Sequence, residues 1–174
     1  MMEAQMNRCC WAKEDDKLML DYHDNEYGRR KKGDTALFEK LCLECFQAGL
    51  SWRTVLYKRD AFRDAFSGFD LIKVAAMTPE DIDRLMQDAR LIRNRLKISA
   101  VIENARLTIK LIEETGSLED YMYSFRSGAD LSAALKKRGF KFVGGTICES
   151  YLLSIGAIEA HEPECFCHGQ YENI

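Results

Sequence analysis

Apolar residues recur every three to four positions along nearly the whole chain, and alternation at period two is nearly absent. A helix buries one face with a stripe at i, i+3, i+4 and i+7, whereas a half-buried strand alternates. The pattern therefore predicts an all-α fold. Only two prolines, Pro79 and Pro163, interrupt 174 residues, so long helices are permitted. Leu37, Phe38, Leu41, Cys42, Cys45 and Phe46 form one stripe, with Asp34 expected as N-cap and Gly49 as the residue beyond the C-terminus. A second helical stretch is expected from about Ser51, carrying Trp52, Val55, Leu56, Phe62 and Phe66, with a break near Arg59-Asp60. Thr78-Pro79-Glu80-Asp81 reads as a helix start running to about Asp88: a capping hydroxyl, proline in the first turn, then acids at the positive end of the dipole. A longer helix follows, striped by Ile98, Val101, Ile102, Ala105, Ile109 and Ile112 and ended by Gly116. Further helices are expected near Glu119–Phe125, Leu131–Lys137 and Thr146–Ile155, giving about eight in all.

Composition narrows the function classes. The hydrophobic share is 47% and the formal net charge is −3, so nucleic-acid binding would have to rest on a local basic face. The polar start lacks the apolar run of a signal peptide, and no segment has transmembrane length. A cytoplasmic protein is expected. Seven cysteines in a reducing compartment argue for core thiols or metal ligands over a disulfide framework.

Several segments carry groups capable of chemistry. Cys9 and His23 lie towards one end, and His161-Glu-Pro-Glu-Cys165 towards the other. Two thiolates and two imidazoles suit tetrahedral Zn(II), and four protein ligands would make such a site structural. Spacing leaves a plainer alternative open, buried cysteines and surface histidines, and Cys10, Cys167 and His168 are rival ligands. Cys42-Leu-Glu-Cys45 has redox-motif spacing but falls on an apolar helical stripe, where core packing is the better reading. Glu44 sits mid-helix between these thiols, a position usually solvated. Tyr22-His-Asp-Asn-Glu-Tyr-Gly28 reads equally as a surface turn after a short helix, and Trp11 as a core plug. Asp88-Ala-Arg-Leu-Ile-Arg-Asn-Arg-Leu-Lys97 joins two helices and carries Arg90, Arg93, Arg95 and Lys97. Such a hairpin can offer backbone N–H groups to a phosphate, or be an ordinary solvated face.

Taken together, these segments resemble the DNA-3-methyladenine glycosylase I family of the helix–hairpin–helix glycosylase superfamily. The resemblance rests on Arg8-Cys9-x-Trp11, Tyr22-His-Asp-Asn-Glu-Tyr-Gly28, Leu43-Glu44-x-x-Gln47-Ala-Gly-Leu-Ser-Trp52, Leu91-Ile-Arg-Asn-Arg-x-Lys-Ile98 and Leu135-Lys-Lys-Arg-Gly-Phe-Lys-Phe-Val-Gly144 with Thr146-Ile-Cys148. These lie in family order over nearly the whole chain. The resemblance implies one glycosylase domain over residues 1–174. It would contain a helix–hairpin–helix near residues 79–114, and terminal segments 1–28 and 156–174 pinned by one structural Zn(II) on Cys9, His23, His161 and Cys165.

It also implies Glu44 as the residue that recognises the base and so assists its loss. Tyr22, Trp52, Trp11 and Tyr27 would form the base-binding walls. Arg90, Arg93, Arg95 and Lys97 would contact DNA. The implied reaction is hydrolysis of the N-glycosidic bond of flipped-out 3-methyladenine in alkylated double-stranded DNA, by a monomer, without strand cleavage. A cationic base would be favoured by the face of Trp52 and by the carboxylate of Glu44. The alternative is a diverged relative that binds damaged DNA without excision. Departures from the family pattern motivate it: Arg90 where Gly is usual, Tyr27 where Trp is common, Cys45-Phe46 beside Glu44, Glu149 after Cys148, and a shortened segment between Phe125 and Leu131.

Overall fold

The computed structural model describes residues 7–170, which form ten α-helices and one 3-10 turn and contain no strand. In chain order the helices are α1 (Lys17–Asn25), α2 (Asp34–Gln47), α3 (Trp52–Tyr57), α4 (Arg59–Ala65), α5 (Leu71–Ala75), α6 (Pro79–Gln87), α7 (Arg95–Thr115), α8 (Leu118–Tyr123), α9 (Gly128–Lys137) and α10 (Gly145–Ser154), with the 3-10 turn at Ser67–Phe69. The all-α expectation holds among these residues. None of their helices is long and apolar enough to cross a membrane. The expected break near Arg59-Asp60 falls at Lys58, which separates α3 from α4. The short α5 was not legible, because it buries a single residue, Val74, and one residue makes no stripe.

Local chemistry sets the helix ends. At α6 the Thr78 hydroxyl accepts from the Asp81 N–H, and the Asp81 carboxylate accepts from the Thr78 N–H at 2.9 Å. That reciprocal cap contributes on the order of 1 kcal/mol. Asn94 caps α7 by accepting from Lys97 N–H at 3.1 Å, and Gly116 closes it with φ +89°. The expected cap of α2 is shifted by one residue. Gly33 is the cap, with φ +86°, and Asp34 is the first helical residue, where its carboxylate still faces the positive end of the dipole.

Helix α2 is the axis of the core. From Leu37 to Phe46 every residue except Glu39 is buried, as expected of a helix enclosed on all sides. It packs against α3, α7, α8 and α10. Phe46, Phe62, Phe66 and Phe69 stack in a column beside it, with the Phe46–Phe62 ring centroids 4.4 Å apart. Truncating any of these rings to alanine should cost roughly 3–5 kcal/mol.

Soon after Phe125 the first turn of α9 lies against α10. Glu149 Oε2 accepts from Gly128 N–H at 2.6 Å, and a Cβ at Gly128 would lie 2.4 Å from the Glu149 backbone nitrogen. The carboxylate thus satisfies an otherwise unpaired N–H at a helix start, and the glycine is required by the close approach.

Residues 88–94 connect α6 to α7. The backbone at Arg90 is not in the left-handed region, which among non-glycine residues is occupied by Ser67, Phe69 and Phe142. Arg90 therefore introduces no such strain into the hairpin. Its guanidinium pairs with Asp88 at 2.8 Å and Asp64 at 2.9 Å, and Lys58 donates to its carbonyl.

Candidate active site and metal centre

The chain turns sharply at Gly49 (φ +79°) between α2 and α3. The Ser51 hydroxyl accepts from Thr54 N–H and starts α3 at Trp52. On the other side, Asp16 caps α1 by accepting from Met19 N–H, and α1 turns Tyr22 inward. Between these two helices α2 presents Glu44. The result is a cavity of about 480 Å³ whose lining includes Trp11, Tyr22, Tyr27, Glu44, Gln47 and Trp52. The five expected base-site residues therefore come together, although they are spread over residues 11 to 52. Asp16 and Arg53, joined by an ion pair of 2.6 Å, stand in the same wall together with Lys13.

The walls are aromatic. Tyr22 and Trp52 have centroids 5.0 Å apart, and Trp11 meets Tyr27 edge-on at 5.0 Å. Glu44 is 3% exposed. Its Oε1 accepts from the Lys40 ammonium at 2.8 Å. Its Oε2 and the Trp52 indole N–H are buried and have no hydrogen-bond partner among the described residues. A buried polar atom left unpaired costs about 1–3 kcal/mol, so one acceptor and one donor stand ready for a planar, polar ligand.

Lys40 was not identified from the sequence. It lies one turn before Glu44 on α2, is 3% exposed, and donates to Tyr22 Oη at 2.7 Å. Its Nζ sits 3.4 Å from the Trp52 ring centroid. Burial lowers its pKa to about 8, with Glu44 opposing the shift. Burial, reinforced by Glu44, also drives the Tyr22 phenol well above its usual range. One face of Trp52 is thus already occupied by a cation, which alters the role expected for that ring. Only an i, i+4 Lys–Glu spacing signals the pair in the sequence, and that spacing is common on solvated helix faces.

Cys9, His23, His161 and Cys165 also converge. All four are buried, and their ligand atoms lie within 4.8 Å of one another. Sulfur–nitrogen separations are 3.5 Å for Cys9–His161, 3.4 Å for Cys165–His23 and 3.6 Å for Cys165–His161. Bonds of about 2.3 Å to sulfur and about 2.05 Å to nitrogen in a tetrahedron give sulfur–nitrogen edges of about 3.6 Å, so the donor set fits Zn(II). The remaining ring nitrogens are held as metal-bound imidazoles usually are. His23 Nδ1 is 2.7 Å from Asp24, itself held well below the usual carboxylate range by Arg8, and His161 Nε2 is 2.9 Å from the Tyr27 carbonyl. Burial keeps His161 below its ordinary pKa, in the neutral form that binds metal. Gly28 (φ +72°) is fixed by the same cluster, since a Cβ there would lie 2.8 Å from His161 Nε2. The rival Cys10 is exposed, whereas Cys167 is buried beside the cluster.

Comparison with known proteins decides the family. The methyladenine glycosylase family model matches residues 11–130 and 127–168. The chain belongs to the methyladenine glycosylase family. It is 44% identical over 183 residues to DNA-3-methyladenine glycosylase 1 of Escherichia coli (strain K12), covering 94% of this chain and 97% of that protein. It is 41% identical to the DNA-3-methyladenine glycosylase of Haemophilus influenzae, with coverage of 92% and 97%. A crystal structure of 3-methyladenine DNA glycosylase I superposes with a TM-score of 0.87 at 43% identity, covering 93% of this chain and all of that one. A variant of 3-methyladenine DNA glycosylase I in complex with 3-methyladenine gives a TM-score of 0.89 at 32% identity, covering 96% and 100%.

Within this methyladenine glycosylase the hairpin cations divide. Arg93 is exposed and has no ion pair among the described residues. Arg90 and Arg95 are exposed but tied to Asp88, Asp64 and Asp83. Lys97 departs from expectation. It is 7% exposed, and its ammonium donates to the carbonyls of Phe46 at 3.0 Å and Ala48 at 2.6 Å. It satisfies the last carbonyls of α2 and is not offered to a phosphate. Cys42 and Cys45 are buried thiols whose pKa values burial drives upward, the opposite of what a redox pair needs.

Proposed function

We propose that this chain excises 3-methyladenine from alkylated DNA by hydrolysing its N-glycosidic bond. The observation that carries the reading is an unpaired acceptor, Glu44 Oε2, and an unpaired donor, the Trp52 indole N–H, on two residues that line one aromatic cavity of about 480 Å³. The base must leave the duplex to reach such a cavity, at a cost of a few kcal/mol. A 3-methyladenine nucleotide carries a positive charge on the base. Its amino edge would donate to Glu44, and the charge-assisted bond is about twice as strong as one to a neutral acceptor.

The bond from C1′ to the base nitrogen breaks, and its electron pair neutralises the departing base. Water adds hydroxide at C1′ and releases a proton. The products are free 3-methyladenine and an abasic site in an unbroken strand. Tyr22, Trp52, Trp11 and Tyr27 wall the base, and Glu44 assists by binding the charged form more tightly than neutral adenine.

Arg93, with Lys13 and Arg53 at the cavity wall, would meet the DNA phosphates, supported by the helix–hairpin–helix of α6 and α7. Cys9, His23, His161 and Cys165 would hold one Zn(II). With four protein ligands the ion supplies no open coordination position, and its contribution is to fasten the segment bearing Trp11 to the C-terminal one. The protein would act as a monomer in the cytoplasm.

Incubation with methylated double-stranded DNA, followed by chromatography of the released bases, tests the reading. Free 3-methyladenine is expected, with strands intact until alkali is added. DNA binding without base release would establish the non-excising alternative instead. A left-handed backbone at Arg90, the conformation in which glycine would have been needed and one motive for that alternative, does not occur.

A further inference from the structure

The charged groups around Lys40 leave it one counter-ion. A second, smaller cavity of about 70 Å³ shares Tyr22 and Trp52 with the larger one, and Lys40 lines this smaller cavity alone. Behind it, Glu26, the residue that caps the C-terminus of α1, is matched by Arg59 of α4 at 2.8 Å and by Lys31 at 3.6 Å. Glu39 of α2 is matched by Arg63 of α4 at 2.8 Å. Tyr22 accepts from the ammonium and contributes no charge. Glu44 is therefore the acid that answers Lys40, and Lys40 is the base that answers Glu44. The contact is one-sided, with Oε1 held at 2.8 Å and Oε2 left unpaired.

We propose that Lys40 is a positioning residue for base capture: an internal counter-ion that keeps Glu44 a carboxylate while the cavity is empty, pins Oε1, and leaves Oε2 as the acceptor offered to the base. The inference rests on the reading of Glu44 as the base acceptor. A carboxylate buried without a cation takes up a proton. It would then present an O–H where an acceptor is required. The cationic base cannot prevent this, because it is absent until it binds. Lys40 supplies the charge beforehand from behind the aromatic wall, where it does not obstruct the cavity. When the charged base arrives, Glu44 bridges two cations, one at each oxygen. Burial lowers Lys40 to about 8 against the pull of Glu44, so the ion pair is present at neutral pH and is lost as pH rises through that value.

The test is Lys40→Met, which keeps a long unbranched side chain without charge. Infrared or carbon-13 spectra of the glutamate carboxyls are followed between about pH 5 and about pH 9, with Glu44→Gln identifying the signal. In Lys40→Met the carboxyl at position 44 should take up its proton at least about one pH unit higher than in the unchanged protein. Release of 3-methyladenine by the variant should then fall by about tenfold for each pH unit below the raised carboxyl value, over a range in which the unchanged protein still holds its rate. A Lys40 that merely packs would lower release equally at all pH values. Superimposable carboxyl titrations would overturn the proposal. If Lys40→Met does not fold, Lys40→Gln, which keeps a donor, takes its place. If even the unchanged protein releases no base, the proposed function fails while the carboxyl titration still decides the role of Lys40.

Discussion

Replacing Glu44 by glutamine separates binding of the base from stability of the fold, and the structure sets both magnitudes. The variant loses the charge at Oε2 and keeps the shape. A hydrogen bond to a charged group is worth about 1.5–3 kcal/mol, and attraction to a cationic base at about 4 Å adds up to about 4 kcal/mol at an effective dielectric constant near 20. The two overlap, because the charged hydrogen bond is itself largely this attraction, so a net loss of about 2–4 kcal/mol is expected, or roughly 30- to 1,000-fold slower single-turnover release of 3-methyladenine. Stability falls less. A trapped buried charge typically costs about 3–5 kcal/mol, but Lys40 need not stay trapped. With burial lowering its pKa to about 8, the ammonium is only modestly favoured at pH 7. Once Glu44 is gone, Lys40 sheds its proton, so this source of destabilisation is held to about 1 kcal/mol. A weaker hydrogen bond adds about 1 kcal/mol.

The pH dependence follows from the same values. Lys40 has a folded pKa of about 8, below its ordinary 10.5, so the folded state disfavours the charged form. The contribution of the Lys40–Glu44 pair is present below about 8 and disappears as pH rises through it. The stability deficit of Glu44→Gln should therefore narrow by about 1 kcal/mol between about pH 7 and about pH 9. Urea unfolding at both pH values, beside base release from methylated DNA, measures each part. Base release within threefold of the unchanged protein would refute the role of Glu44, and a deficit that does not narrow would refute the proton-shedding argument.

Five further substitutions probe other parts of the molecule. Cys165→Ser and His161→Ala should each reduce bound zinc and lower the melting temperature together, by roughly 6–12 °C for a loss near 3 kcal/mol; protein purified without zinc and melting identically in chelator would contradict the pin. Gly28→Ala forces a Cβ to within 2.8 Å of His161 Nε2 at φ +72°, and should weaken zinc binding by about 10- to 100-fold in competition with a coloured chelator, an expectation that unchanged affinity defeats. Lys97→Met should cost about 1–2 kcal/mol by exposing the end of α2 without changing the salt dependence of DNA binding, whereas Arg93→Ala should reduce that slope by about one; the reverse pattern would return Lys97 to the DNA interface.

The periodic stripes made the helices of the core legible, because α2 and α7 bury several turns each. They could not show α5, which buries only Val74. The residues of the cavity were legible as family-like segments, not from periodicity. Tyr22, Glu44 and Trp52 are brought together by the cap at Asp16 and the turn at Gly49, which no stripe encodes. Lys97 illustrates the converse error. Its place in a run of cations suggested a contact to DNA, yet it sits in the first turn of α7, where that helix crosses the C-terminal end of α2. The carbonyls it satisfies belong to Phe46 and Ala48, and no local pattern connects residue 97 with residue 46.

The same limitation concealed Lys40, and its position changes how selectivity for a charged base must arise. An isolated Trp52 ring would attract a cation through either face. With an ammonium 3.4 Å from its centroid, the ring already meets that demand on one side, and a second cation on the other gains less. On the proposed function, the discriminating attraction then falls to Glu44 Oε2, half of a carboxylate whose other oxygen is committed to Lys40. The pair with Lys40 is electrically neutral, so neutral adenine meets a weak field, whereas a methylated base brings a charge that the free oxygen can still answer at hydrogen-bond distance. Selectivity becomes short-ranged and dependent on geometry. That suits an enzyme whose substrate is rare among many normal adenines, because a bare buried carboxylate would draw in any nearby cation, including the arginine and lysine side chains at the cavity wall.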